Sequence, residues 1–271
     1  MTAKYTIDAR KTLISGVLNL TPDSFSEGNM FFDVASAYNR AKEMVTQGAD
    51  IIDVGGESTH PGAKQVSTEE ELRRVLFVVK KIASELTIPL SIDTYKPKVA
   101  EECIKAGASI INDVTGLRND AMIRVAAKYD ASVVMMHMKG TPQTMQNDPQ
   151  YDDVVAEIKD FFAGRIDAAE KAGLTKIILD PGIGFGKTVE HNLEIIRRFA
   201  EFRDLGYPLM IGTSRKSFIR RITGAKTSQD LLPGTIASLC IAVGNGADIV
   251  RVHDVKECRT ALDMVDALFR G

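Results

Sequence analysis

Along the chain, short runs of β-branched and other apolar residues alternate with longer segments in which apolar residues recur every three or four positions. The short runs are LISGVLNL (13–20), DIIDVGGES (50–58), PLSIDT (89–94), SIINDVTG (109–116), SVVMMHM (132–138), KIILDPG (176–182), PLMIGTS (208–214) and DIVRVHD (248–254). Continuous apolar runs of this length, bounded by glycine, proline and acids, read as strands buried on both faces. Between them, EEELRRVLFVVKKIASEL (69–86) and YDDVVAEIKDFFAGRIDAAEKAG (151–173) carry the spacing of amphipathic helices. The pattern predicts eight strand–helix units.

The junctions resemble one another. QGADIIDV (47–54), KAGASIIND (105–113) and NGADIVRV (245–252) each set a glycine at a helix end just before a strand. Glycine there predicts a left-handed C-cap that turns the chain into the next strand. Repeating units of this kind also occur in solenoids, and an open doubly wound sheet is the other alternative. Eight of them in 271 residues fit best a closed α/β (β/α)8 TIM barrel, whose usual size is ~250 residues. No Pro/Ser-rich linker divides the chain, so 1–271 reads as a single domain.

Composition narrows the class of function. With 44% hydrophobic and 26% charged residues the chain is an ordinary globular one. A net charge of −2 argues against nucleic acid or a membrane surface as partner. No apolar run approaches the ~20 residues of a membrane span, and MTAKYTIDAR lacks the apolar core of a secretory signal. Cys103, Cys240 and Cys258 are scattered without a C-x-x-C, as expected for buried thiols in a reducing compartment. The cytoplasm is the expected location.

One glycine-rich stretch invites a wrong answer. KIILDPGIGFGKT (176–188) ends like a P-loop, but Pro181 stands where the first glycine of G-x-x-x-x-G-K-[ST] belongs. A dinucleotide fingerprint begun at Gly184 would need glycine at Val189. What remains is an acid at the end of a buried strand.

In a barrel the site lies at the carboxyl ends of the strands. Those ends carry Asn19, Glu57, Thr59, Asp93, Asn112, His137, Asp180, Lys216, Arg251 and His253. Any one of them reads as a structural acid or cap, but the set converging on one rim reads as a ligand site. Two carboxylates and an amide suit the edge of a heterocycle with adjacent ring N–H and amino groups. Lys216 can donate to a ring carbonyl or nitrogen. Arg251 and His253 alternate along the last strand, where barrels often hold phosphate. The polar stretch from Asn19 to about Asp33, with Phe25, Phe31 and Phe32, and the segment GGESTHPG (55–62) read as lids. His191 falls in the first turn of a helix, away from this set, and Met135 and Met138 read as core while Met136 lines the pocket.

The motifs NLTPDSFS, DVGGEST, SIDTYKP, INDVTG, DPGIGFGK, TSRKSF and RVHDV occur in that order over nearly the whole chain. In them the sequence resembles the dihydropteroate synthase family, the folate-pathway transferases that sulfonamides inhibit. The resemblance implies a (β/α)8 barrel and a homodimer. It implies condensation of 6-hydroxymethyl-7,8-dihydropterin diphosphate with 4-aminobenzoate to 7,8-dihydropteroate, with diphosphate leaving before the amine attacks. The implied pterin pocket is Asp93, Asn112, Met136, Asp180 and Lys216. Diphosphate falls to Asn19, Thr59, Arg251 and His253, with Mg2+ on Asn19. Aminobenzoate falls to Phe25, Pro61, Phe185, Lys216 and Ser217. Asn19, Lys216, Arg251 and His253 form the implied catalytic set.

Two positions depart from the family pattern: His60 stands where arginine is usual, and SEGNMFF replaces an S-D-G-G run. The alternatives are a related pterin- or folate-dependent methyltransferase domain and a pterin-binding protein without catalysis. The first would not need RVHDV or SRKS, having no diphosphate to expel, and the intact Asn19, Lys216, Arg251 and His253 argue against the second.

Overall fold

The computed structural model describes residues 11–20, 30–60 and 62–270, with the backbone alone at 30–33. In chain order the elements are β1 (Leu13–Asn19), α1 (Met30–Thr46), β2 (Ile51–Gly55), α2 (Thr68–Glu85), β3 (Leu90–Asp93) and α3 (Pro97–Lys105). Then come β4 (Ile110–Asp113), α4 (Asp120–Lys128), β5 (Ser132–Met136), α5 (Val154–Lys171), β6 (Ile177–Asp180) and α6 (Val189–Arg197). The chain ends with β7 (Met210–Ile211), α7 (Ser217–Thr223), α8 (Leu232–Gly244), β8 (Ile249–Val252) and α9 (Val255–Phe269). Each predicted strand forms within its run, and the two helices read from periodicity are α2 and α5. The loop predicted to reach about Asp33 is shorter, because α1 begins at Met30. Once Ala37, Ala41 and Met44 are packed, extending a helix upstream costs little compared with nucleating it.

The strands pair in parallel in the order β6-β5-β4-β3-β2-β1-β8-β7. A parallel bridge from Leu179 to Leu209, with the Leu179 N–H donating to Pro208 at 2.9 Å, brings β6 against β7. That is the closure of a (β/α)8 TIM barrel. No helix among the described residues is long and apolar enough to cross a membrane.

The glycine junctions close as the sequence predicts. Gly48, Gly107 and Gly246 have φ of 99°, 116° and 100°. At each, the glycine N–H bonds back to Val45, Ile104 or Val243, and the next N–H reaches Met44, Cys103 or Ala242. These paired bonds satisfy helix-end carbonyls that would otherwise be orphaned. Gly107 is doubly constrained, since a Cβ there would lie 2.5 Å from that of Ala83.

Side chains on a strand alternate between faces, and the register therefore sorts the barrel interior into layers. Leu13, Ile51, Ile110, Val134, Ile178, Met210 and Ile249 form one buried apolar cluster. They fill the lower barrel, while a second, larger core lies between the sheet and the helices. Two residues further along, on the same inward face, most strands turn polar, with Ser15, Asp53, Asn112, Asp180 and Arg251.

Beneath the apolar layer, α9 is tied to the start of β1. Asp266 accepts from the Thr12 N–H at 2.8 Å and the Thr12 hydroxyl at 2.5 Å, and from Arg259 Nη2 at 3.1 Å. Breaking a buried pair strands the remaining charge. We expect Asp266→Ala to cost about 3 kcal/mol of stability, read as a lower denaturation midpoint. Ligand affinity at the opposite rim should be unchanged, and a variant as stable as the parent would refute the role.

Candidate active site

Register places the predicted polar residues on the inward face. Asn19 pairs with Gly55, Gly55 with Asp93, Asp93 with Asn112 and Met136 with Asp180. Arg251 pairs with Ser15 on β1. Asp93, Asn112, Met136 and Asp180 are all buried, so β3, β4 and β6 each carry an acid or amide just above the apolar plug, with Met136 beside them on β5.

These groups are held together by ionic hydrogen bonds. Arg251 donates from Nε to Asp53 Oδ2 at 2.6 Å and from Nη2 to Asp93 Oδ2 at 2.7 Å. Asn112 donates from Nδ2 to the same Asp53 oxygen at 3.2 Å. Asp180 Oδ1 accepts from the Gly182 N–H at 2.7 Å. The second oxygens, Asp53 Oδ1 and Asp93 Oδ1, are buried without a partner among the described residues. Unmatched buried acceptors are costly and call for a donor from a ligand. Burial raises the Asp93 carboxyl above the usual carboxylate range; Arg251 opposes this, and the charges of Asp53 and Glu71 add to it. Burial also raises Asp180, against the Gly182 bond and the cations Lys216 and Arg251.

The 181–188 loop forms the far wall. Gly182, Gly184 and Gly186 all have positive φ, and a Cβ at Gly182 would fall 2.0 Å from the His137 carbonyl oxygen. Lys187, itself buried, donates to the Phe185 carbonyl at 3.0 Å and meets His137 Nδ1 at 3.0 Å. The loop thereby fixes Phe185, which shares an apolar cluster with Met136, Met138 and Val114. Lys216 Nζ lies 4.1 Å from the centre of the Phe185 ring. Burial, and then repulsion from Arg251, bring the Lys216 ammonium down to about 8, against the pull of Asp180 and Asp93.

On the cationic side, His253 follows β8 and its Nδ1 lies 2.9 Å from Ser214 Oγ, which also accepts the His253 N–H at 3.2 Å. Burial, then Arg251 and Arg215, push the imidazole down to about 3. His253 is therefore a neutral hydrogen-bonding group beside the Arg251 cation. Asn19 sits half-buried at the end of β1, and a Cβ at Gly55 would come 3.5 Å from both Asn19 Oδ1 and Asp93 Cβ.

Asp93, Asn112, Arg251, Asp180, Lys216, Phe185 and Met136 thus surround one space. Thr59, half-buried in the 56–67 loop, and Ser217, exposed in the first turn of α7, stand at its margin. His60 is exposed, yet its imidazole is lowered by burial and then by the fields of Lys216 and Arg251. Phe25 and Pro61 lie outside the described residues. His191 belongs to a helix cap, its backbone and ring exchanging bonds with Thr188, and Cys240 is half-buried rather than buried.

Asp53, Ser214 and Lys187 were not singled out in the sequence. Asp53 carried a usable signal: it lies between Ile51 and Gly55 at spacing two, so it shares their inward face.

The chain matches the family model described as pterin binding enzyme over residues 15–253. It is 46% identical to dihydropteroate synthase of Escherichia coli over 263 residues, covering 96% of this chain and 93% of that protein. The crystal structure of dihydropteroate synthase from Clostridium difficile in the presence of pteroic acid superposes with a TM-score of 0.93 at 49% identity, covering 98% of this chain and 100% of that one. The Thermus thermophilus enzyme in complex with 4-aminobenzoate gives 0.89 at 43% identity, with 98% of each chain covered. The chain therefore belongs to the pterin-binding enzyme family and, within it, groups with the dihydropteroate synthases.

Proposed function

We propose that the chain, acting as one domain in the cytoplasm, condenses 6-hydroxymethyl-7,8-dihydropterin diphosphate with 4-aminobenzoate. The observation that carries this reading is the buried row of acceptors beside a cationic rim. Asp93 and Asp180, with Asn112, receive the N–H and amino donors of the pterin edge, Met136 packs on the ring, and Lys216 donates to its carbonyl side. The free Asp93 Oδ1 is an acceptor of the kind such an edge requires.

At the exocyclic carbon, the C–O bond breaks with its electron pair going to diphosphate. The lone pair of the arylamine then forms the C–N bond, and the amine proton is released. Arg251 supplies fixed positive charge to the departing group, while neutral His253, Thr59 and Asn19 supply hydrogen-bonding groups. Phe185, Lys216 and Ser217, with Phe25 and Pro61, receive the aminobenzoate and keep water from the carbocation.

The donors suit Mg2+ in one way only. Among the described residues no three His, Cys, Asp or Glu side chains form a metal cage, but Mg2+ keeps most of its waters and bridges substrate phosphates with few protein ligands. Asn19 Oδ1 would be that ligand, and the bound ion would neutralise diphosphate charge. Incubation with both substrates and Mg2+ should release diphosphate and form dihydropteroate; a folded protein that releases none refutes the reading.

The reading includes a homodimer. Ile241 on α8 and Met264, Leu268 and Phe269 on α9 are exposed, and Phe269 lies against Gly244 at the end of α8. Adjacent helices with such a face suit a second copy of the chain. Sedimentation should give twice the monomer mass, and Met264→Glu should dissociate it. A monomeric parent protein would remove the dimer.

Lys216 generates a pH prediction. Its ammonium donates below about 8 and is lost as pH rises through that value, so pterin affinity should fall over the same range. In Lys216→Arg the charge persists to high pH, and that part of the fall should vanish. Titration of the ligand is common to both proteins, so the difference between the calorimetric profiles belongs to Lys216. Superimposable profiles would exclude it as the donor.

A further inference from the structure

Asp53 has no role in the chemistry above, yet it is 1% exposed and charged in the middle of β2. Its neighbours along the ladder are Val17 and Ser91, neither of which offers it a countercharge. Its Oδ2 receives both Arg251 Nε and Asn112 Nδ2. A feature that costs this much desolvation persists only where it does something.

Two consequences follow from the chemistry of a carboxylate, which can only accept hydrogen bonds when ionised. Asn112 must turn its NH2 group toward Asp53, because the opposite orientation would set carbonyl against carboxylate. Its carbonyl Oδ1 is then left as an acceptor for the space bounded by Asp93 and Asp180. The second consequence concerns Arg251. With Nε tied to Asp53 it spares one amino group for Asp93, through Nη2 alone, and Asp93 Oδ1 stays unpartnered. Without that anchor the guanidinium fork would be free to grip both Asp93 oxygens side by side.

We propose that Asp53 is a positioning residue for the pterin site: it fixes the Asn112 amide with its carbonyl toward the ligand and restrains Arg251 from capping Asp93. The inference rests on the reading of this pocket as a pterin site. It also assigns specificity. A ring edge presenting N–H and amino donors is selected, and an edge presenting an acceptor to Asn112 is rejected by the unmatched carbonyl.

The test is a donor–acceptor exchange, with affinity for 6-hydroxymethylpterin read by calorimetry. Binding by the parent protein is measured first, and its absence refutes the pocket reading rather than this one. Asp53→Asn allows the Asn112 amide to turn over and should weaken binding about tenfold, the order expected for one lost bond to a charged group. Asn112→Asp sets two carboxylates against each other and should also weaken it. In the double variant Asp53→Asn/Asn112→Asp the donor stands on β2 and the acceptor on β4, with a carboxylate oxygen again facing the ligand. Most of the lost affinity should return.

Thermal unfolding identifies variants that fold. Should Asp53→Asn alone fail to fold, the comparison of Asn112→Asp with the double variant carries the same expectation. Parental affinity in Asp53→Asn, or a double variant that binds no better than its folded single parent, would overturn the proposal. A merely structural role would lower stability in the single variants without a pterin affinity that tracks the exchange.

Discussion

The polar half of this barrel depends on one guanidinium. Asp53, Asp93 and Asp180 bring three carboxylates into a space closed below by hydrocarbon, where an uncompensated charge is held at a cost of several kcal/mol. Arg251 bonds to two of them directly and acts on the third through its field. It does not satisfy them fully. One oxygen each on Asp53 and Asp93 stays without a donor, and Asp93 is held toward its neutral form. The interior is thus primed for a ligand that brings donors, and the strain of that arrangement belongs to the site, not to a defect in packing.

Everything that frames the site follows from making such a layer possible. The apolar plug of Leu13, Ile51, Ile110, Val134, Ile178, Met210 and Ile249 excludes water from below, which strengthens each ionic bond above it. Glycine-ended helices return the chain to the feet of β2, β4 and β8 in the same geometry, so residues at equivalent positions on them arrive at one height. Gly55 lies between Asn19 and Asp93, where a Cβ would come into van der Waals contact with both. On the far wall, three left-handed glycines and the buried Lys187 bend the 181–188 loop so that Phe185 meets Lys216.

The charge balance of the rim differs from the count of basic side chains. His253 is neutral and hydrogen-bonded to Ser214, the Lys216 ammonium is brought down to about 8, and Arg251 carries a lasting positive charge in the strand layer. A rim of this kind attracts an anion without binding it as three fixed cations would. That suits a group that must leave as well as arrive.

Strand runs, helix periods and glycine junctions were legible because each is a local pattern: backbone geometry repeats every two or 3.6 residues, and apolar side chains report it directly. The rim residues were legible too, since strand ends in a barrel share one side and DPG, SIDT and INDV mark those ends. The charge state of His253 was not legible, because it depends on burial beside Arg251 and Arg215, which are near it only after folding. Nor could Asp53 be given its partners: Arg251 is 198 residues away in sequence and Asn112 is 59 away, and only closure of the barrel makes them neighbours. The sequence by itself determined which residues face inward. The tertiary structure decided which of them share a countercharge or fix one another's orientation, because those interactions fall off within a few ångströms and no periodicity along the chain encodes such distances.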